Sequence, residues 1–344
     1  MKAIVLHELN GPDSLSYEDW PEPEPDTGEV LVKLKAAALN RRDVFVTQGQ
    51  YPGAKPDALP VIPGSDGSGE LVAIGDEVEG VIEGTPPVNS AVVIHPSLYW
   101  GDNLRIPGKD YRILGLPENG TYAQYVKVPA ENVFRKPAHL LHEEAAALPL
   151  AALTAYRALV TRGGIQEGDT VLIPGIGGGV ATFLVQLATA LGGRVFVTSS
   201  SDEKIEQAKR DLGAEGGVNY GSDGWQKELR SMAGGIDLSV DSIGGDVFDA
   251  LATLANPAGR IVTFGATRGP VPNLVLPKIF LKQLDVLGTA MGSAQEFEEM
   301  LKLYEDRGLK PKIDSSYPLE ETATAQKRMD AGENFGKIVL NVPE

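Results

Sequence analysis

From Met1 to about Val128 short apolar runs alternate with polar residues and Gly/Pro turns, at Ala3 to Leu6, Val30 to Leu34, Val92 to Ile94 and Ala123 to Val128. This texture predicts an irregular β-rich unit. The run Pro21-Glu22-Pro23-Glu24-Pro25 falls between two of these strands and reads as an exposed loop. At about residue 143 a helix-forming run opens with Glu143-Glu144-Ala145-Ala146-Ala147 and continues, interrupted near Pro149, to Leu159.

Strand and helix then alternate regularly. Strands are predicted at Thr170 to Ile173, Arg194 to Thr198, Gly217 to Asn219, Ile236 to Val240, Arg260 to Phe264 and Asp285 to Leu287. Helices are predicted at Gly179 to Leu191, Asp202 to Leu212, Gly224 to Met232 and Asp246 to Ala255. Such alternation calls for a doubly wound α/β unit, a parallel sheet with helices on both faces. After about residue 291 an amphipathic helix near Gln295 to Tyr304 leads into a mixed tail ending in the strand-like Gly336 to Leu340. The tail is too short for a core of its own and is expected to return to the first unit. The expected divisions are therefore 1–150, 151–290 and 291–344.

A chain of 344 residues with 42% apolar composition fits two cores better than one. The chain contains no cysteine, which excludes disulfides, thiolate zinc sites and cysteine nucleophiles. A formal net charge of −16, with no Lys/Arg run against it, makes nucleic acid and membrane surfaces poor partners. The start MKAIVLHELNGPDSL carries no apolar signal core, and no run approaches the roughly 18 apolar residues a membrane span needs. A soluble, unprocessed, cytoplasmic chain is the expectation.

The strand at Thr170 runs into Pro174-Gly175-Ile176-Gly177-Gly178-Gly179-Val180-Ala181 and then into a helical stretch. Glycines there let backbone approach a pyrophosphate, while the helix start offers it unpaired N–H groups. The motif departs from strict G-x-G-x-x-G, because Val180 stands at the third glycine and the small Ala181 follows. Beyond the second strand, where an acidic residue would bind the ribose hydroxyls of NAD, the sequence has Ser199-Ser200-Ser201, with Lys204 soon after. No carboxylate at that strand end repels a 2′-phosphate and Lys204 supplies a point charge for it, so NADPH is the expected cofactor. The same serines also serve as a helix cap, with Lys204 in solvent, on the alternative reading.

Together with this loop, Ala36-Ala37-Ala38-Leu39-Asn40-Arg41-Arg42-Asp43, Pro63-Gly64-Ser65-Asp66-Gly67-Ser68-Gly69, Ala147-Leu148-Pro149-Leu150-Ala151-Ala152-Leu153-Thr154-Ala155-Tyr156 and Val240-Asp241-Ser242-Ile243-Gly244-Gly245 resemble the medium-chain dehydrogenase/reductase superfamily. The resemblance runs end to end and is nearest to its quinone oxidoreductases and zinc-free alcohol-dehydrogenase-like members. It implies a Rossmann domain beside a discontinuous, GroES-like catalytic domain. Zinc-bearing relatives coordinate the metal through a cysteine, a histidine and a second cysteine; the matching positions here hold Asn40, Ser65 and Leu150, which do not make a catalytic zinc site. Their four-cysteine structural lobe matches Pro96 to Glu118, which has no such ligands and is expected to be held by packing of Tyr99, Trp100 and Tyr111. His7, His95, His139 and His142 show no metal-binding spacing, so no metal is expected.

Without zinc to hold an alkoxide, alcohol oxidation is disfavoured, whereas a quinone or α,β-unsaturated carbonyl delocalises the incoming charge. The resemblance implies that Asn40 lies at nicotinamide and substrate, that Asp43 organises its loop, and that Tyr51 lines the acceptor pocket or donates a proton. Asn40 as a loop-holding side chain is the alternative. Phe45 replaces a frequent second tyrosine, which weakens tyrosine acid catalysis. The resemblance further places Thr154 at the nicotinamide amide, Tyr220 at the adenine or its phosphate, and Ser242 with Phe264, Gly265 and Ala266 along the cofactor. Lys337, in Asn334-Phe335-Gly336-Lys337, would close over it. Val286-Leu287-Gly288-Thr289 matches a strand that pairs across a two-fold, so a homodimer is expected. The leading reading is NADPH-dependent quinone or enone reduction; the others are an enoyl-thioester reductase and a non-catalytic NADPH-binding sensor.

Overall fold

A computed structural model describes residues 1–76 and 84–344. The chain divides into two compact units, Met1–Leu153 with Gly292–Glu344, and Thr154–Met291.

The first unit is built on the strand Glu29–Ala38, whose sequence EVLVKLKAAA changes character along its length. Val30, Val32 and Leu34 alternate into one apolar cluster with Leu71, Val92 and Val126. The last three residues are alanines: Ala37 faces Leu39 and Ile338, while Ala36 and Ala38 face Ala146, Ala147 and Val339. Small side chains on both faces let the helix His142–Ala146 pack closely against the strand. In the seven-stranded sheet the order is Ile313–Pro318, Lys337–Asn341, Glu29–Ala38, Asp66–Ile74, Ala91–Ile94 and Val133–Arg135, with Tyr125–Pro129 also paired to Glu29–Ala38. The tail strand Lys337–Asn341 thus lies antiparallel to Glu29–Ala38, with Val339 opposite Ala38. Two helices absent from the sequence expectations also belong here, Arg41–Thr47 and Thr322–Asp330.

The segment after Ala91–Ile94 forms a two-stranded ribbon, Ser97–Leu98 with Arg112–Ile113. Trp100 and Tyr111 meet edge to face at 5.4 Å, as a lobe held by packing requires, but Tyr99 is exposed rather than packed inside. Next to the ribbon His95 is buried, its Nε2 3.2 Å from Gly292 O and its Nδ1 3.2 Å from Asn132 Nδ2. Both partners require the neutral Nε2–H tautomer, and burial lowers its pKa from 6.5 to about 4. Protons bind the unfolded imidazole first, so this stability is present above pH 6.5 and is lost as pH falls towards 4. The expected result at pH 5 is a loss of about 2 kcal/mol relative to pH 7 that His95→Gln does not show, measured by urea unfolding of both proteins.

In the second unit six parallel strands run in the order Gly216–Asn219, Arg194–Ser199, Thr170–Ile173, Ile236–Asp241, Ala255–Thr263 and Asp285–Gly288. The strands Thr170–Ile173 and Ile236–Asp241 are neighbours although two strands intervene in sequence, which makes the ends of this pair the topological switch point. Helices Gly179–Ala190, Asp202–Leu212, Trp225–Ala233 and Val247–Leu254 connect the strands, within a residue or so of the expected bounds. The strand expected from Arg260 begins earlier, at Ala255, and stops at Thr263, leaving Phe264 in the loop beyond. Leu276–Lys282, where no element was predicted, is a helix.

Candidate active site

In the first unit the three positions that the resemblance assigns to metal ligands come together around buried charges. Gly64, with φ +99°, turns the chain so that Ser65 follows; a Cβ there would lie 2.4 Å from the Tyr122 ring, so only glycine fits. Asn40 precedes the helix Arg41–Thr47, where Asp43 accepts its backbone N–H at 2.8 Å through Oδ2. The same oxygen accepts the Tyr122 hydroxyl at 2.6 Å. Asp43 therefore organises the loop bearing Asn40. Burial raises the Asp43 pKa, against the lowering effects of the Arg42 charge and the Tyr122 bond.

The Lys337 ammonium is 1% exposed and donates to Leu39 O at 2.7 Å, Asn40 Oδ1 at 2.7 Å and Asp66 Oδ2 at 2.9 Å. Asp66 accepts Leu150 N–H through its other oxygen at 2.9 Å. Burial also raises the Asp66 pKa, opposed chiefly by Lys337. These bonds correct one expectation. All three ammonium hydrogens of Lys337 are engaged inside the protein, which leaves none for a cofactor.

Arg42, in the turn that follows Asn40, donates from one terminal nitrogen to Ser65 Oγ at 2.9 Å and Leu114 O at 3.1 Å, and from the other to Ile113 O at 3.1 Å. Ser65 in turn donates to Leu114 O at 2.8 Å. Tyr51 packs its ring 4.7 Å beneath the guanidinium. Sequence reasoning missed Arg42, Asp66 and Tyr122; the first two stood inside quoted motifs, but nothing in their spacing revealed the bonds they make. The residues do not fit zinc. Of the three ligand positions one is an alkyl chain, and the two oxygens are each already bound by a cation, Lys337 on Asn40 and Arg42 on Ser65. Among the described residues no group of three His, Cys, Asp or Glu could hold a metal ion.

In the second unit the glycine loop leaves the strand Thr170–Ile173 at the switch point. Gly175 has φ +71° and Gly177 φ +136°, and a Cβ on Gly177 would come within 3.1 Å of Lys204 Nζ. Ile176 N–H is anchored on Thr198 O at 2.9 Å. Gly178 caps the helix Gly179–Ala190 without a side-chain bond. The first-turn N–H groups of Gly179, Val180 and Ala181 therefore lack helical partners and suit an anionic pyrophosphate. Gly178 is open to approach, since a Cβ there would meet nothing within 4 Å. This cradle fits a dinucleotide.

At the second strand's end the serines divide their roles. Ser199 is buried and accepts the Ser201 N–H at 3.1 Å, and Ser201 caps the next helix on Lys204 N at 3.3 Å. Ser200 is exposed beside them. Asn219 Nδ2 holds this turn through Ser200 O at 3.2 Å and Asp202 Oδ1 at 2.9 Å, and Tyr220, itself exposed, follows. On the other side of the switch point Ser242 O accepts from Thr267, and Phe264 N–H bonds Asp241 O at 3.0 Å, which brings Ser242 beside Phe264, Gly265 and Ala266. Thr154 is buried, with Oγ1 3.9 Å from Met291 Sδ.

Residues 26–138 match the family described as alcohol dehydrogenase GroES-like domain, and residues 179–306 that described as zinc-binding dehydrogenase. A zinc-type alcohol dehydrogenase-like protein of Schizosaccharomyces pombe is 34% identical over 99% of both chains. The chain belongs to the medium-chain dehydrogenase/reductase superfamily. It is an oxidoreductase of that superfamily with the fold of a nicotinamide-dinucleotide-binding dehydrogenase. A crystal structure of an NAD-dependent alcohol dehydrogenase superposes with a TM-score of 0.92 at 39% identity, covering both chains completely. An acryloyl-coenzyme A reductase of Sulfurisphaera tokodaii is 29% identical over 99% of both chains.

Proposed function

We propose that this protein is a zinc-independent, NADPH-dependent reductase of quinones or α,β-unsaturated carbonyls. The observation that carries the reading is the cationic occupation of both oxygen donors at the former ligand positions, Lys337 on Asn40 and Arg42 on Ser65. A metal entering there would have to displace Lys337 from Asn40 and Arg42 from Ser65, while a substrate oxygen gaining negative charge would be stabilised by the Arg42 guanidinium, whose hydrogen bonds go to neutral oxygens. NADPH, when bound, supplies a hydride. Gly175, Gly177, Gly178, Gly179, Val180 and Ala181 cradle its pyrophosphate, and Ser199 shapes the turn from which Ser200 and Lys204 meet the 2′-phosphate, with Tyr220 near the adenine. Thr154, Ser242, Phe264, Gly265 and Ala266 position the nicotinamide half. Asn40, oriented through Asp43, and Tyr51 face the acceptor.

The test is a panel of acceptors with NADPH and NADH: 1,4-benzoquinone, 9,10-phenanthrenequinone, an enone and crotonyl-coenzyme A. Faster turnover of quinones or the enone with NADPH supports the reading. The likeness to an acryloyl-coenzyme A reductase favours a second reading, reduction of enoyl thioesters, which faster turnover of crotonyl-coenzyme A would select. Tight NADPH binding with no turnover of any acceptor would leave a sensor.

We also propose a homodimer. The strand Asp285–Gly288 ends the six-stranded sheet, and Leu276, Phe280 and Leu281 beside it are 58%, 62% and 75% exposed. An open strand edge flanked by such side chains suits pairing with a second copy. Sedimentation should show a dimer that the double substitution Phe280→Glu/Leu281→Glu converts to monomer; a wild-type monomer would contradict this.

A further inference from the structure

Arg42 stands apart from the other buried charges of the first unit because its bonds go to neutral oxygens. Lys337 is bonded directly to the Asp66 carboxylate. Arg42 instead donates to the Ser65 hydroxyl and to the backbone oxygens of Leu114 and Ile113, and its nearest carboxylate oxygen, Asp43 Oδ1, is 3.9 Å away. That oxygen and Arg42 Nε are both buried with no hydrogen-bond partner, although the Arg42 side chain is only 8% exposed. This guanidinium is balanced by Asp43 only at ion-pair distance, without a hydrogen bond, and one planar N–H, at Nε, has no acceptor, which is costly unless an oxygen visits. Its face is fixed by Tyr51 at 4.7 Å and its edge by Ser65, so the fork cannot swing out to water.

We propose that Arg42 is a catalytic residue, the electrophile that binds the carbonyl oxygen of the acceptor and holds the negative charge it develops. The inference rests on the reductase reading and names the group that takes over the metal's electrostatic task. In an enone the hydride adds to the β-carbon, the alkene pair shifts to join the α-carbon to the carbonyl carbon, and the carbonyl pair moves onto oxygen. The reduced nicotinamide is the electron donor. The enolate oxygen so formed lies against Arg42; the enolate double-bond pair then takes a proton from water at the α-carbon, the oxygen pair re-forms the carbonyl and hydroxide passes to solvent, because a guanidinium does not give up its own proton near neutral pH. The preferred acceptors are flat carbonyl compounds that can lie at Tyr51 with one oxygen on the fork.

The probe is 4-nitrophenolate, an aryl oxide whose absorbance reports binding, titrated into the full-length protein with and without NADP⁺. Wild type should bind it, and Arg42→Gln should bind at least about tenfold more weakly, the scale of a lost charge-assisted hydrogen bond. Arg42→Lys, which keeps charge without the planar fork, should fall between. Affinity in Arg42→Ala should recover when guanidinium chloride is added, an effect that a purely structural arginine would not show. Melting temperature and NADPH affinity report whether each variant folds, and Arg42→Lys carries the comparison where the shorter side chains do not. Equal affinity in wild type and the Gln variant overturns the inference, as does absence of binding by wild type or wild-type affinity in the Lys variant. Phenolate binding that depends on Arg42 in a protein that reduces no quinone or enone would overturn the reductase reading and leave the anion site standing. Reduction that is indifferent to Arg42 would do the reverse.

Discussion

Lys337→Met should destabilise the protein by about 3–5 kcal/mol, the cost of leaving one partner of a buried ion pair without the other. The Asp66 carboxylate, fully buried, would lose its ammonium partner while keeping the Leu150 N–H, and Asn40 Oδ1 would lose its donor. Urea unfolding at pH 7 measures the loss. The double variant Lys337→Met/Asp66→Asn removes both charges and should recover more than half of it, because the surviving amide is cheaper to bury than a lone carboxylate. A loss in the single variant below about 1 kcal/mol would mean that the pair is hydrated and that the cationic filling of this pocket is not as described.

Gly177→Val should weaken NADPH binding by about 100-fold or more while leaving the first unit's chemistry untouched. At φ +136° a β-branched residue is strained, and its Cβ would press on the Lys204 side chain at about the closest distance such contacts reach. The loop must either move away from the pyrophosphate or displace Lys204, and each costs contacts to the phosphates. Gly177→Ala, with the same Cβ and no branch, should lose roughly 10-fold, so the pair gives a graded series. Fluorescence titration of NADPH checks it. Wild-type affinity in the valine variant would remove the glycine loop from the cofactor site.

The second unit was the more legible half of the chain because each of its signals is local. The strand Thr170–Ile173 and the helix Asp202–Leu212 fall where their apolar periodicity and caps put them, since a parallel strand buried on both faces and an amphipathic helix each carry their pattern within a dozen residues. Leu276–Lys282 escaped the same reasoning because its pattern is inverted: Leu276, Phe280 and Leu281 face solvent in the single chain, while Lys278 and Lys282 turn inward to Asp249 and to the carbonyls of Ala252, Thr253 and Ala255. The candidate site was half visible. The motifs flagged Asn40 and Asp43, yet the bond from Lys337 to Asn40 spans 297 residues of chain and no spacing rule reaches that far. The resemblance made Lys337 a cofactor contact; with the strand Lys337–Asn341 paired inside the sheet, its ammonium turns instead to Leu39, Asn40 and Asp66. Arg42 stands beside Arg41 in the sequence, and no pattern there distinguishes the two. Only the fold separates it, buried, from exposed Arg41.

We propose that hydride transfer here proceeds without a metal, with protein cations bonded at the positions that hold zinc in other members of the superfamily. The most direct measurement is NADPH oxidation with 9,10-phenanthrenequinone before and after exhaustive dialysis against a chelator, with the zinc content of the same samples determined. The rate should be unchanged, with far less than one zinc per chain. A rate that is abolished by the chelator and restored by added zinc would contradict it.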